Sequence, residues 1–242
     1  MTHTIAQPLF LADWCEMFFV HFAVDADALQ RSVPFELDLY DGRAYISLVA
    51  FTQKNLRPAF GGGIARALVK PLAEHEFLNL RTYVRVGETR GIYFISEWIP
   101  NRLAELVGPM TYGLPYRLGR LNYDNAPHRC TGSVRARNVA LDYLANPHGA
   151  AAQAAAGELE HFLLERYVAF THRGSVTRRF DVQHESWTYQ SAAIRRLDTN
   201  IVTVALPGLE TVRATSAQFS TGVRDVKIGW PIIGGKSVSA ER

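Results

Sequence analysis

The pattern of apolar and polar positions along this chain is strand-rich, and the period of an amphipathic helix appears only in short pieces. "WCEMFFVHF" (Trp14–Phe22) is dense in aromatic and β-favouring residues and predicts a strand. In "YDGRAYISLVAF", Asp41-Gly42 marks a turn, after which Ala44, Ile46 and Leu48 alternate with Tyr45, Ser47 and Val49. "EFLNLRTYVRV", "GETRG" and "IYFISEWI" predict a hairpin. "YRLGRLNYD" and "HRCTGSVRARNV" predict two more strands, joined at Asn125–Pro127. "VAFTHR", "RRFDVQHESW" and "TVRATSAQFS" are strand-like as well.

Three stretches predict helices. Asp25 is placed to N-cap a helix in "DADALQRSVP", which Pro34 ends. "PNRLAELVG" carries Pro100 near its first turn. "GAAAQAAAGELEHFLLERY" reads as an alanine-rich connection and then a helix whose buried stripe is Leu159, Phe162, Leu163 and Tyr167. The segment from Thr52 to Glu74 is loop-like, with Pro58, three consecutive glycines and Pro71. Its "GGGIARALVK" lacks the Gly-Lys-Ser/Thr end of a phosphate loop and predicts a flexible connection and one short helix. The small, polar tail after Lys236 is expected to fray. With no internal repeat or linker, one domain over residues 1–242 is expected. Its class is mainly β (α+β): a barrel or curved mixed sheet with helices outside.

Composition narrows the classes. At 48% hydrophobic and 20% charged, the chain is an ordinary globular one. No apolar run approaches the roughly 20 residues of a membrane span, and no basic segment precedes "MFFVHFAV" as in a signal peptide. A cytoplasmic protein without a membrane role is expected. Two cysteines, Cys15 and Cys130, make neither a disulfide framework nor a zinc site, so two reduced thiols are expected. The net charge of +3 comes from scattered arginines with acidic residues between many of them, and no nucleic-acid partner is expected. Only four residues are lysine: Lys54, Lys70, Lys227 and Lys236.

Common catalytic signatures are missing: there is no Gly-x-Ser-x-Gly, His-Glu-x-x-His or Gly-x-Gly-x-x-Gly. His161 and Glu165 read as a surface pair, and neither metal nor cofactor is expected. The candidates that remain are polar residues inside strands. By parity Glu76 shares a face with Leu78, Leu80, Thr82 and Val84, while Phe77, Asn79, Arg81 and Tyr83 share the other. Glu76 is then either a solvated strand end or a carboxylate at the edge of an apolar cavity, where desolvation would suit it to proton transfer. His21, beside Phe19 and Phe22, reads as a core histidine. His184 in "QHESW" reads equally as a strand residue or a pocket residue.

Several of these stretches together resemble the acetoacetate decarboxylase superfamily: "CEMFFVHFAVDADALQRSVPFELDL", "EHEFLNLRTYVRVGETRGIY" and "PMTYGLPYRLG", the last standing at the family's Tyr-Pro-Lys-Lys-Leu-Gly motif. "VDADAL", "YDGRAYISLVAF", "NLRTYV", "GIYF", "LPY", "FLLERY" and "FSTGV" resemble a branch of uncharacterised bacterial proteins, the YqjF-like family, from Trp14 to about Pro231. The resemblance implies a closed, cone-shaped antiparallel β-barrel with short helices packed outside and a pocket in its interior. It also implies self-association, since the decarboxylases are oligomers.

The decarboxylases use the first lysine of their motif to form a Schiff base, with the second lysine depressing its pKa. Those positions are Tyr116 and Arg117 here, and neither a phenol nor a permanently protonated guanidinium forms an imine. The family's pocket arginine falls on Cys15, and its pocket glutamate on Glu76 if "GETRG" is one residue longer than the family's turn. The resemblance therefore implies a site of Cys15, Glu76, Asn79, Arg81, Tyr83, Tyr116 and Arg117, with Glu76 and Tyr116 as catalytic candidates. Three functions are compatible with it. The chain could bind a small anionic or keto-type molecule, with or without acid–base chemistry. It could be a structural or interaction protein whose barrel is filled by side chains. It could be a decarboxylase using a lysine from elsewhere.

Overall fold

The computed structural model describes residues 5–209 and 212–234. Strands form where alternation was densest, and they are long. In chain order the elements are β1 (Phe10–Val24), α1 (Ala26–Gln30), β2 (Glu36–Leu37), β3 (Ala44–Pro58), α2 (Gly62–Val69), a 3-10 turn (Lys70–Leu72), β4 (His75–Val86), β5 (Thr89–Ile99) and α3 (Arg102–Thr111). Then come β6 (Tyr116–Leu118), β7 (Arg120–Ala126), β8 (Arg129–Ala136), β9 (Val139–Ala152), α4 (Leu159–Leu164), β10 (Val168–Arg173), β11 (Val176–Gln183), β12 (Tyr189–Leu197), α5 (Asn200–Ala205), β13 (Ala214–Ile228) and β14 (Ile232–Gly234).

The strands join in one sheet whose main path runs β14-β11-β10-β5-β4-β3-β1-β13-β12-β9-β8-β7. The path closes on itself, because the end of β13 also pairs with β11, at Val182↔Ile228 and Gln183↔Lys227. β1, β3, β4, β5, β10, β11 and β13 thus form a ring. The pairing is antiparallel except where β5 meets β10 and β6. The result is the expected cone-like β-barrel, extended by a second limb, β12-β9-β8-β7.

Strand periodicity sorts the core into two sides. Phe18, Val20 and Phe22, Ile46, Leu48 and Ala50, and Leu78, Leu80 and Val84 face one way. They pack with Cys130, Val134, Leu141, Tyr143 and Ala145 of the second limb. Met17, Phe19, Val49, Phe51 and Phe77 face the ring interior with Leu164 and Trp187. β1, β3 and β4 are therefore buried on both sides, which explains their nearly continuous apolar sequence.

Helix α4 is tied to the ring by a buried ion pair. Arg166 Nη1 donates to Asp38 Oδ2 at 2.8 Å and its Nε to the Phe162 carbonyl at 2.7 Å. The guanidinium lies 4.2 Å from the Phe162 ring centroid and 5.3 Å from that of Tyr83. Arg90, at 3.0 Å, is the second cation on Asp38.

Several expectations need correction. β3 runs through Pro58, so residues 52–58 are strand rather than loop. Their register against Phe10–Cys15 of β1 sets them, and partial exposure erased any alternation. β9, β12 and α5 had no counterpart in the sequence reading, and the alanine tract begins inside β9. Asp25 does cap α1, accepting from the Ala28 amide at 2.7 Å, but the helix stops at Gln30, well before Pro34. α3 is capped by Asn101 and continues to Thr111 with Pro109 inside it. Phe162 and Leu163 are buried as expected, whereas Leu159 and Tyr167 are half-buried and Tyr167 lies past the end of α4. Both cysteines are unpaired thiols. Among the described residues no helix is long and apolar enough to cross a membrane. The tail after Lys236 lies outside the described residues.

Gly222 of β13 pairs with Cys15 of β1 at a close backbone approach. It has φ +108°, and a Cβ there would sit 1.9 Å from the Trp14 carbonyl oxygen, a backbone atom that cannot move without shifting β1. Gly222→Ala is expected to cost about 3 kcal/mol, combining an unfavourable φ with overpacking. A fall in the denaturant midpoint is the measurement.

Candidate functional site

The interior face of the ring is not filled completely. A cavity of about 180 Å³ lies between β4, β5, β6 and β11 and helix α3, walled by Phe51, Phe77, Leu164, Trp187 and Val107 among others. Into it project the polar side chains of His75, Asn79 and Arg81 from β4, Glu97 from β5, Tyr116 from β6, and His184 just beyond β11. Register aligns three of these. Asn79 pairs with Glu97, and Glu97 pairs with Tyr116, so three neighbouring strands present them side by side.

His75, Asn79 and Glu97 are buried, Arg81, Tyr116 and His184 are half-buried, and several of their polar atoms lack hydrogen-bond partners. Glu97 is 3% exposed, and its Oε2 has no hydrogen-bond partner. Burial pushes its carboxyl well above the usual range, while Arg81 pulls the other way. Arg81 donates from Nη2 to the Leu163 carbonyl at 3.3 Å, but its Nε is unpartnered. No carboxylate among the described residues lies within salt-bridge distance of Arg81. Neither ring nitrogen of His75 has a partner, and burial lowers its pKa to about 4, so the ring is neutral. His184 donates from Nδ1 to the Glu185 carbonyl at 2.7 Å and packs between Trp14, Tyr167 and Trp187. Burial lowers its pKa too.

Tyr116 owes its position to Gly108 of α3. A Cβ on Gly108 would lie 2.3 Å from the Tyr116 ring, so only glycine lets the helix cover the tyrosine. The other flank is Phe77, at 5.9 Å between ring centroids. Burial, with Glu97 and then Tyr112 nearby, raises the Tyr116 phenol well above its ordinary value.

A second polar layer lies on the same sheet face. Tyr83 OH donates to the Leu163 carbonyl at 3.0 Å. Its 2.6 Å contact with Ser47 Oγ must then be donated by Ser47, and the 2.6 Å contact between Ser47 Oγ and His21 Nδ1 by His21. His21 is thus the Nδ1–H tautomer, and burial drives its pKa down to about 3. It is a core histidine with one ring nitrogen satisfied and Nε2 unpartnered.

Of the seven residues implied by the resemblance, the cavity wall takes Asn79, Arg81 and Tyr116. Tyr83 is buried in the second layer instead. Cys15 pairs with Thr52 and Gly222 and stays off the wall, with burial raising its thiol pKa, while its neighbour Trp14 lines the cavity. Glu76 faces away, toward Tyr123, because β4 alternates strictly and the cavity takes the Asn79–Arg81 face. Arg117 turns to the opposite side of β6 from Tyr116 and donates from Nε to Ser96 Oγ at 2.6 Å. The interior carboxylate is therefore Glu97 rather than Glu76. Its signal was present in "IYFISEWI", where it is the lone charge in an apolar strand. Lys54, Lys70 and Lys227 do not line the cavity, and Lys236 lies outside the described residues.

The family model DUF2071, described as "Uncharacterized conserved protein (COG2071)", matches residues 11–224. "Uncharacterized protein YqjF" of Bacillus subtilis (strain 168) is 32% identical over 197 residues, which is 79% of each chain. Acetoacetate decarboxylase from Legionella pneumophila superposes with a TM-score of 0.61 at 10% identity, over 97% of this chain and 92% of that one. The enduracididine biosynthesis enzyme MppR, complexed with pyruvate, superposes with a TM-score of 0.63 at 12% identity, over 95% and 91%. The chain belongs to the DUF2071 family and has an acetoacetate decarboxylase-like fold.

Two opposite pH dependences are expected. The native state holds the Glu97 proton more tightly than the unfolded chain does, so this group costs stability as pH rises above about 4.5. Glu97→Gln should melt higher than the wild type at pH 7–8, with the gap closing toward pH 4. For His75, with a folded pKa of about 4 against 6.5, the unfolded chain takes up the proton first. Its contribution is complete above pH 6.5 and is lost as pH falls to 4, by on the order of 3 kcal/mol. His75→Asn should flatten that acid limb. Thermal melts across pH 4–8 read both.

Proposed function

We propose that the members of this family represented by this chain use the interior cavity to bind one small molecule with a carboxylate or keto group. Arg81 and Asn79 hold its polar end, and Phe51, Phe77 and Trp187 enclose the rest. The observation that carries this reading is the set of buried polar atoms without partners on the cavity wall: both nitrogens of His75, Asn79 Oδ1, Arg81 Nε and Glu97 Oε2. Buried polar groups are rarely left unbonded, because each costs roughly 1–3 kcal/mol. Those groups need a polar occupant, and Arg81, without a carboxylate partner, favours an anion.

Size limits the occupant. A cavity of about 180 Å³ is close to the engineered 150 Å³ space that holds benzene, so the ligand has roughly six to nine non-hydrogen atoms. The pyruvate complex of MppR is of that class. Open space beside Tyr116 supports binding over a barrel filled by side chains. Schiff-base decarboxylation is not expected, since the motif resemblance puts Tyr116 at the amine's position and no described lysine lines the cavity. Any reaction would instead move protons, with the Glu97 carboxyl and the neutral His75 ring as donor and acceptor. Two unpaired thiols, Cys15 and Cys130, suit a reducing compartment such as the cytoplasm.

Pyruvate, acetoacetate and short carboxylates should raise the melting temperature and give saturable 1:1 heats by calorimetry. Arg81→Met should weaken binding at least tenfold without unfolding the protein. Silence across the panel would favour a filled, non-binding barrel. In borohydride trapping with acetoacetate no lysine adduct is expected, and an adduct would restore the decarboxylase reading.

A further inference from the structure

The strand that brings Tyr116 to the cavity also forms one wall of a second, larger space on the other side of the sheet. Because side chains alternate, Glu97 faces the cavity while Ser96, Trp98 and Arg117 face this cleft, and Tyr116 lies on the wall that the two spaces share. The cleft has a volume of about 780 Å³, within the range of small-molecule sites. Three arginines reach it from three separate parts of the chain: Arg117 on β6, Arg137 at the β8–β9 turn, and Arg173 at the end of β10. Glu105 is the lone acidic residue on its wall. None of the three arginines forms an ion pair among the described residues. Arg117 is held in place, since Ser96 Oγ, itself 1% exposed, accepts its Nε–H at 2.6 Å.

Three like charges on the wall of one cleft, without acidic partners at salt-bridge distance among the described residues, favour an anionic occupant. All three are guanidinium groups, whose planar forks pair with phosphate oxygens two bonds at a time. Between them runs an apolar floor that includes Trp98 and Val139. We propose that this cleft is a second ligand site, distinct from the interior cavity, that binds a phosphate-bearing small molecule with its charged end on Arg117, Arg137 and Arg173.

The probe is inorganic pyrophosphate, titrated into the whole protein at constant ionic strength and followed by calorimetry and by tryptophan fluorescence, since Trp98 lies on the cleft floor. Saturable 1:1 binding is expected, weakened at least tenfold in Arg137→Ala/Arg173→Ala. Both residues are exposed, so the variant should fold, and an unchanged melting temperature checks this. Arg31→Ala/Arg195→Ala removes the same charge from exposed positions outside the cleft and should bind as the wild type does. Absence of saturable binding at millimolar pyrophosphate would overturn the proposal, as would an equal loss in the two double variants. The cavity variant Arg81→Met should leave pyrophosphate binding intact, so that failure of the interior-site reading and failure of this one are separable.

Discussion

The site depends on the closure of the ring at the end of β13. Ile228 pairs with Phe10 on one side and Val182 on the other, and the Gly229 amide donates to the Asp181 carbonyl at 2.8 Å. Without that seam the Val182–Gln183 end of β11 would be left unpaired beyond β14, and the face carrying His75, Asn79, Arg81 and Glu97 would open to water. With it, those groups sit in a region of low effective dielectric, where the charged form of each acid or base is penalised. The same enclosure therefore raises Glu97 and Tyr116 and lowers His75, His21 and His184.

Arg81 is the exception that gives the cavity its character. A guanidinium is a fixed cation that calls for an anionic or strongly accepting partner. Elsewhere in the fold a buried arginine has been neutralised: Arg166 meets Asp38 at 2.8 Å and shares it with Arg90. Among the described residues Arg81 donates only to a carbonyl oxygen, at 3.3 Å. One arginine behaves as a structural clamp and the other as a group kept available, and the difference is whether a carboxylate was supplied.

Membership in the DUF2071 family and likeness to the decarboxylase fold describe a scaffold, and chemistry belongs to the groups placed on it. At 10% identity the overall fold persists, with a TM-score of 0.61. The side chains on that frame determine what it can hold. A phenol under Gly108, a buried carboxyl and a cation without a carboxylate partner form a polar pocket lined by no described lysine.

The sequence by itself determined the strands whose alternation is strong, the hairpin over residues 76–99, the cap at Asp25, and the family. It also determined that Asn79 and Arg81 share a face, because a strand's period is two, whereas it placed Tyr116 and Arg117 together in one site and the structure turns them to opposite sides of β6. It did not reveal β9 or β12: β9 alternates only over Leu141, Tyr143 and Ala145 before an exposed end, and most of β12 is half-buried or exposed. Nor could it say which face of β4 looks inward. Glu76 and Arg81 stand on opposite faces, and both faces are rich in apolar residues because the strand is buried on both sides. Only the ring closure and the second limb decide that one apolar side is solid core and the other a cavity. That choice moves the interior carboxylate from Glu76 to Glu97, a change no local pattern carries, since it rests on contacts between strands far apart in the chain.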